Sequence, residues 1–206
     1  MTRIHKALAT LILLALAFVA APAHAASVAD LYRQSYRLEA DGKPARALTA
    51  MQSIKAKTGG SYFVTVRIAW LSYLSGRFSA SEAAYKRAAK LEPKAIEPKL
   101  GLTLPLLVQK KWRELEAACR AVLKLDAKNG IARARLAHAH YASGNYPDAA
   151  VVYRGLVADY PAELDHQTGL GWAIARMGRI AEAKRIFAAV LAVSPDNANA
   201  KQGMKL

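Results

Sequence analysis

The residues of this chain that could coordinate a metal ion or act as a nucleophile are few and poorly spaced. Beyond residue 25 the chain has three histidines, His138, His140 and His166, and one cysteine, Cys119. On a helix, residues two apart do not share a face, so His138 and His140 would point to different sides. No glycine-rich phosphate loop, nucleophile elbow or paired acid motif is present. The sequence therefore predicts a non-enzyme without a metal or another cofactor.

A turn that recurs with a fixed period is the most regular feature of the chain. It opens the windows DGKPARALTAMQSIKAKTG, SGRFSASEAAYKRAAKLEP, QKKWRELEAACRAVLKLDA, SGNYPDAAVVYRGLVADYP and MGRIAEAKRIFAAVLAVSP. The turn residues lie 34 apart, at Gly42, Gly76, Lys110, Gly144 and Gly178. Glycine reaches the positive φ that closes one helix and lets the chain reverse into the next. The pattern predicts five consecutive helix–turn–helix units.

Residue types after each turn also recur at helical spacing. Five residues on, most units have a small residue that lets two helices approach closely: Ala47, Ser81, Ala149 and Ala183. Four further on is a residue expected to fill the gap between units: Met51, Tyr85, Cys119, Tyr153 and Phe187. Proline, which lacks an amide donor, ends the second helix of three units at Pro93, Pro161 and Pro195. One unit alone cannot bury its apolar face, so we expect the units to stack on a continuous core, with Cys119 a buried and unreactive thiol.

The third unit departs from this pattern. It has Lys110 in place of glycine, Leu115 at the small position and Ala127 in place of proline. Pro105 lies inside its first helix, four residues after Gly101, whose missing Cβ would ease a bend. Two interpretations remain: a functional kink midway along the stack, or a locally degenerate repeat, which we favour.

This period and residue pattern resemble the tetratricopeptide repeat family over residues 28 to 197, in five copies that need no insertion. The resemblance implies an all-α fold, a right-handed α-solenoid of about five stacked helix–turn–helix units. We expect one solenoid domain, 26–206, with repeats at 28–61, 62–95, 96–129, 130–163 and 164–197. Residues 198–206 would form a partial capping helix.

In that family the first helices line the concave face of the solenoid and the second helices line the convex face. Repeat positions two, five, nine and twelve, with the arginines alongside, then predict a ligand groove, called the predicted groove below. It consists of Tyr32, Tyr36, Phe63, Val66, Arg67, Trp70, Tyr73, Leu100, Leu104, Leu107, Arg135, His138, Tyr141, Trp172 and Arg176. Aromatic rings provide contact area and arginine donates to carboxylates. The alternative is that some of these aromatics, Trp172 above all, only pack between helices.

The first 25 residues have the pattern of a secretory signal peptide. A short basic start containing Arg3 and Lys6 precedes an apolar run over 7–20, and small residues at Ala23 and Ala25 fit a signal peptidase. We expect cleavage after Ala25; the alternative, an uncleaved anchor, is disfavoured because the run is shorter than the ~20 residues of a membrane span. With a single cysteine there is no internal disulfide, so a periplasmic or secreted bacterial protein is expected.

Of the formal net charge of +15, +13 remains after residues 1–25 are removed, because that segment holds two basic residues and no acid. The basic residues outside the predicted groove include a set that falls mainly on second helices and is expected to form a solvated face: Lys86, Arg87, Lys90, Arg120, Lys124, Lys184 and Arg185. The leading hypothesis is a periplasmic scaffold that binds a protein or peptide segment in the predicted groove, within a cell-envelope assembly. One alternative is a helper in the export or binding of an acidic exopolysaccharide, an anionic polymer. Another is a self-assembling homo-oligomer. Nucleic acid is not an expected partner.

Overall fold

A computed structural model describes residues 26–206, and the predicted signal peptide at 1–25 lies outside that range. Every regular element of the described residues is helical. The helices are α1 Val28–Ala40, α2 Pro44–Thr58, α3 Tyr62–Leu74, α4 Phe78–Leu91, α5 Glu97–Val108, α6 Trp112–Leu123, α7 Gly130–Ala142, α8 Tyr146–Asp159, α9 Leu164–Arg176, α10 Ile180–Val193 and α11 Ala198–Gly203. Among these helices, none has the length and apolar character that crossing a lipid bilayer requires.

Consecutive helices pack against one another along the whole stack. Odd-numbered helices also contact each other at three junctions: α3 with α5, α7 with α9, and α9 with α11. The odd-numbered helices therefore lie side by side and form one face. This confirms the predicted all-α solenoid of about five stacked helix pairs.

Local sequence explains where the helices begin and end. Ser27 caps α1: its Oγ accepts from the Asp30 amide at 3.1 Å, and the Asp30 carboxylate accepts from the Ser27 amide at 3.3 Å. Asn129 and Asn197 cap α7 and α11 in a similar way. Helices α4, α8 and α10 end two residues before a proline, which cannot continue the ladder of hydrogen bonds.

The turn inside each helix pair has the backbone conformation that the sequence predicts. The four turn glycines have φ between 69° and 80°. Lys110 takes the same left-handed conformation, with φ 55°, although its Cβ makes this conformation costly. The Lys111 amide still donates to Leu106 O at 3.0 Å, as the matching amides do in the other turns. The third unit thus keeps the shared turn at the expense of local strain.

The residues that fill the gaps between repeats pack against glycines of the following repeat. A Cβ placed on Gly101 would lie 2.3 Å from the Tyr85 ring, one on Gly169 would lie 2.6 Å from the Tyr153 ring, and one on Gly203 would lie 2.3 Å from the Phe187 ring. These three rings are buried. The missing Cβ of Gly101, which the sequence analysis linked to a bend at Pro105, makes room for the Tyr85 ring, and α5 continues through Pro105 to Val108.

Gly101→Ala should show how much the contact between Gly101 and the Tyr85 ring contributes to the free energy of unfolding. Alanine is the better helix former by about 1 kcal/mol. The added methyl would nevertheless collide with the Tyr85 ring, so we expect the free energy of unfolding to fall by about 1–3 kcal/mol. Urea unfolding followed by circular dichroism measures this change. Gly155→Ala is the matched control, because its Cβ would meet only the flexible end of Arg133 and should leave stability equal or higher. Equal stability of Gly101→Ala and wild type would show that the ring moves aside freely.

Lys110→Gly should stabilise the protein. It relieves a left-handed conformation that costs about 1–2 kcal/mol and adds the entropy cost of glycine, about 0.5–1 kcal/mol. We expect a net gain of about 0.5–1 kcal/mol in the free energy of unfolding. The converse change, Gly76→Ala, meets no atom within 4 Å and should destabilise through its backbone alone. A melting temperature that falls in Lys110→Gly would contradict this account.

Candidate functional site

The predicted groove has two halves. They differ in how many hydrogen bonds and ion pairs the side chains of each half form with one another. In the N-terminal half, on α1 and α3, an ion pair and hydrogen bonds join several polar side chains to each other. In the C-terminal half, from α5 to α11, clefts open between neighbouring odd-numbered helices.

In the N-terminal half, Glu39 links two predicted groove residues. Its carboxylate pairs with Arg67 Nη1 at 2.7 Å and accepts from Trp70 Nε1 at 2.6 Å. The Arg67 guanidinium also lies 4.3 Å from the centre of the Tyr36 ring, a cation–π contact, and donates to Ser35 Oγ at 3.4 Å. The Arg67 side chain is only 13% exposed. This network gives Arg67 a carboxylate partner and the Trp70 indole nitrogen an acceptor, and it leaves Arg67 Nε buried without a hydrogen-bond partner.

The remaining aromatics of this half contact each other in pairs. The Trp70 and Tyr73 rings stack with centroids 5.8 Å apart, and the Tyr32 and Phe63 rings meet at 5.9 Å. Val66 is buried between helices. Tyr36 and Phe63 each keep 49% of their surface exposed, so this half also presents aromatic surface.

In the C-terminal half, a cleft of about 540 Å³ lies between α7, α9 and α11. We call it the C-terminal cleft. Its walls include the predicted residues His138, Tyr141, Trp172 and Arg176, together with Asp165, Thr168, Asn199 and Gln202. Trp172 combines the two roles considered for it, since it packs against Phe187 with ring centroids 5.3 Å apart and lines the cleft.

Arg176 is the exposed cation of the C-terminal cleft. Its Nε donates to the Tyr141 hydroxyl at 3.4 Å, and its guanidinium lies 5.9 Å from the Tyr146 ring. The hydrogen bond with Tyr141 raises the pKa of Arg176 above its usual value. Within residues 26–206 it forms no ion pair. Its guanidinium is therefore available to an external carboxylate.

Asn199 and Gln202 were missed at the sequence level. They lie on the short helix α11 and supply amide donors and acceptors to the C-terminal cleft. A signal for them exists: counted from residue 198, they occupy positions two and five, the same positions used for the other first helices. Extending the repeat register into the tail would have found both.

A second opening of about 510 Å³, the middle cleft, lies between α5 and α7. It is lined by Leu107, Val108, Lys110, Trp112, Ala134, Arg135 and His138. His138 is exposed and lines both the middle and the C-terminal cleft, which are therefore neighbours on the inner face. The His138 ring meets the Trp112 ring edge-on at 5.7 Å. Trp112 comes from the second helix α6 and was not predicted. Leu100 and Leu104, also in the predicted groove, are half-buried on α5.

Arg135 lies at the back of the middle cleft. Its Nη1 donates to Leu100 O at 3.1 Å and to Thr103 Oγ1, both on α5. Burial lowers the pKa of Arg135 below its usual value. Arg135 also borders a third opening of about 610 Å³, the loop cleft, between the α6–α7 and α8–α9 connections. The loop cleft contains Asp126, Glu163, Tyr160 and His166.

The residues first considered for metal or nucleophile chemistry lie apart. His140 is buried, with Nδ1 3.8 Å from the Glu116 carboxylate, whereas His138 faces the clefts. Cys119 is fully buried, as predicted, and burial raises the pKa of its thiol to about 12. Among residues 26–206, no group of three or more histidine, cysteine, aspartate or glutamate side chains is placed to hold a metal ion.

Some of the predicted surface cations are paired on the second helices. Lys86 contacts Glu82 at 2.6 Å and Arg120 contacts Glu116 at 2.8 Å. Burial alone would raise the pKa of Glu82, but hydrogen bonds from Lys111 and Lys86 lower it to about 2. Surface pairs of this kind contribute little to stability and leave the face well solvated.

Comparison with solved structures agrees with the fold. No protein-family model and no curated protein sequence matches this chain. A tetratricopeptide repeat protein from Parabacteroides merdae superposes with a TM-score of 0.79 at 14% identity, covering 86% of this chain and 70% of that one. MamA from Desulfovibrio magneticus, residues 41 to its end, gives 0.76 at 18% identity, covering 84% and 98%. YrrB, described as a tetratricopeptide repeat protein with an unusual peptide-binding site, gives 0.75 at 12% identity, covering 87% and 93%. The described chain therefore has the tetratricopeptide repeat fold.

Proposed function

We propose that this protein is a binding scaffold that holds an extended peptide or protein segment along the inner face of its C-terminal half. The observation that carries the proposal is that the middle and C-terminal clefts adjoin at His138, which lines both of them. The two clefts together extend across α5, α7, α9 and α11.

The composition of the two clefts suits a polypeptide ligand. Trp112, Tyr141 and Trp172 provide aromatic surface, and Trp, Tyr and Arg are the residue types that most often dominate protein interfaces. Asn199 and Gln202 can satisfy the amides and carbonyls of an extended backbone. The peptide-binding site named for YrrB offers a precedent in a protein of the same fold.

We also propose that the protein acts outside the cytoplasm, within an assembly of the bacterial cell envelope. The predicted cleavage after Ala25 would leave one residue before Ser27, the residue that caps α1. The released protein would thus begin at the start of its first helix. Its net charge of +13 favours acidic partners over basic ones.

A double variant, Tyr141→Ala with Arg176→Ala, tests the groove. Random peptides selected on the wild type provide ligands whose dissociation constants are then measured by fluorescence anisotropy. We expect the variant to bind them at least about tenfold more weakly, because truncating two central contacts of an interface typically costs more than 1.4 kcal/mol. Arg176 is exposed and Tyr141 half-buried, so the helical melt should change little.

The matched control is Tyr36→Ala with Phe63→Ala, which removes two exposed aromatics from the N-terminal half of the predicted groove. We expect this control to retain wild-type affinity. If the control loses binding and the C-terminal variant does not, the ligand lies on α1 and α3 instead. If no peptide is enriched on the wild type, the proposal fails, and acidic polysaccharide becomes the ligand to test.

Export has its own test. Expressed from its full sequence in a Gram-negative host, the protein should be recovered in the periplasmic fraction with a mature chain that begins at Ala26. Intact-mass spectrometry of that fraction reads the cleavage position directly. Replacing Ala23 and Ala25 by leucine should block cleavage and leave the precursor with the membrane, since signal peptidase requires small residues there. A full-length chain in the cytoplasmic fraction would contradict the proposal.

A further inference from the structure

Two rows of exposed cations lie at the ends of α4 and α6 and in the connections that follow these helices. Within each row the cations are four residues apart, and the second row repeats the first one 34 residues later. At the corresponding positions of the other three repeats, Arg154 is the one basic residue. The rows are called the lysine rows below and consist of Lys86, Lys90, Lys94, Arg120, Lys124 and Lys128.

The two lysine rows belong to neighbouring helices. Both α4 and α6 pack against α5, and Lys111 Nζ at the start of α6 contacts the Glu82 carboxylate on α4 at 2.8 Å. The connections that follow second helices are neighbours as well, because the α6–α7 and α8–α9 connections line the loop cleft together. The lysine rows therefore form one basic patch along an edge of the solenoid.

The acids of the protein leave most of this patch charged. Lys86 and Arg120 pair with acids on their own helices, at 2.6 and 2.8 Å. The other four cations of the rows form no ion pair among residues 26–206. Of the two acids within the rows, Glu92 is exposed, and Asp126 accepts from the Asn129 side chain.

The fold by itself does not require the lysine rows. A cation in the last turn of a helix is stabilised by the helix dipole, which accounts for Lys90. Helices α8 and α10 nevertheless have no basic residue in their last turns. Lys94 and Lys128 lie beyond the helix ends, where the dipole effect has fallen off. A ligand that carries several negative charges would explain why the cations are concentrated in two of the five repeats.

An exposed leucine follows the middle cation of each row. Leu91 is 46% exposed and Leu125 is 44% exposed, at equivalent positions of the two repeats. At a bilayer surface, aliphatic side chains enter the boundary of the acyl chains while neighbouring lysines extend to the headgroup phosphates. A soluble polyanion would contact the cations and leave both leucines in water. The combination therefore favours a lipid surface over a soluble polyanion.

We propose that the lysine rows, with Leu91 and Leu125, dock the protein on a bilayer that contains anionic phospholipids. Clusters of about four to eight basic residues bind anionic headgroups, and the net charge of +13 adds attraction at longer range. The docking site goes beyond the proposed function and is separate from it, because second helices form it whereas the ligand clefts lie on the inner face. Docking by this edge leaves those clefts free for a ligand.

The test measures how residues 26–206 sediment with lipid vesicles. This range contains every described helix and omits the apolar run over 7–20, which would itself bind lipid. We expect binding to vesicles of phosphatidylglycerol and phosphatidylcholine in equal amounts, and at least about tenfold weaker binding to phosphatidylcholine alone. The affinity for the anionic vesicles should fall as salt rises, because exposed charges are screened.

Lys90→Gln with Lys124→Gln removes the middle cation of each row. We expect this variant to bind the anionic vesicles at least about tenfold more weakly than the wild type. The matched control, Arg77→Gln with Arg113→Gln, removes two exposed cations from the opposite ends of the same helices. Its affinity should stay close to that of the wild type, although its net charge changes by the same amount.

Leu91→Ala with Leu125→Ala distinguishes a bilayer from a soluble polyanion. It should weaken binding to the anionic vesicles but not to alginate, a soluble acidic polysaccharide. The matched control, Leu74→Ala with Val151→Ala, truncates two exposed aliphatic side chains elsewhere and should keep the wild-type affinity for vesicles. Circular dichroism melts show that each variant is folded at the assay temperature.

The outcomes decide the docking site without reference to the peptide. Losses of vesicle binding that are confined to the lysine-row and leucine variants support it. Equal losses in the lysine-row variant and its arginine control overturn it, because overall charge then attracts the vesicles. A leucine variant that binds vesicles like the wild type overturns the bilayer in favour of an acidic polymer. A wild type that does not sediment with anionic vesicles also overturns the docking site, whereas peptide binding on the inner face is measured without lipid and is unaffected.

Discussion

The volume available where one repeat meets the next is the constraint on which the rest of this structure depends. At three junctions a large ring, Tyr85, Tyr153 or Phe187, lies against a glycine of the following first helix. At the other two junctions the filling residue is smaller, Met51 or Cys119, and the following helix has arginine at that position. Cys119 and Arg135 are close enough that the arginine charge acts on the thiol. Large rings pair with glycine and smaller side chains with arginine, because a close-packed core tolerates neither voids nor overlap.

The same constraint determines which charged side chains the inner face presents to a ligand. Arginine at the junction brings a charge to the edge of the core. The two halves of the protein differ in whether a carboxylate neutralises that charge. Glu39 neutralises Arg67 and also holds the Trp70 indole, so the inner face there is closed by internal bonds. Leu107 leaves Arg135 unpaired, and clefts open on both sides of it. Among residues 26–206, the cleft-lining arginines without a carboxylate partner, Arg135 and Arg176, therefore lie in the C-terminal half, where an anionic ligand would gain most.

The fold could be predicted because its determinants are local. A turn that needs positive φ selects glycine, a helix end selects proline, and a helical stripe selects apolar residues at fixed spacing. The glycine recurs in four units, the proline in three and the apolar spacing in all five, and each signal can be recognised within a few residues. Gly101 shows the limit of prediction from local sequence. Its spacing from Pro105 along the chain suggested a bend, but its actual partner, Tyr85, lies on another helix. Trp112 was missed for a related reason, since it reaches the inner face from the start of a second helix.

The sequence by itself determined the period, the helix pairs, the buried positions such as Cys119 and the set of side chains from which an inner face could be built. Only the tertiary structure decided which of those side chains bond within the protein and which of them face a cleft. Arg67 and Arg135 are equivalent in the repeat register, and so are Trp70 and Trp172. One member of each pair is bonded to Glu39, and the other faces a cleft. The difference is physical: periodicity places a side chain on a face, whereas its availability to a ligand depends on whether the neighbouring helix provides a counter-charge or fills the space in front of it.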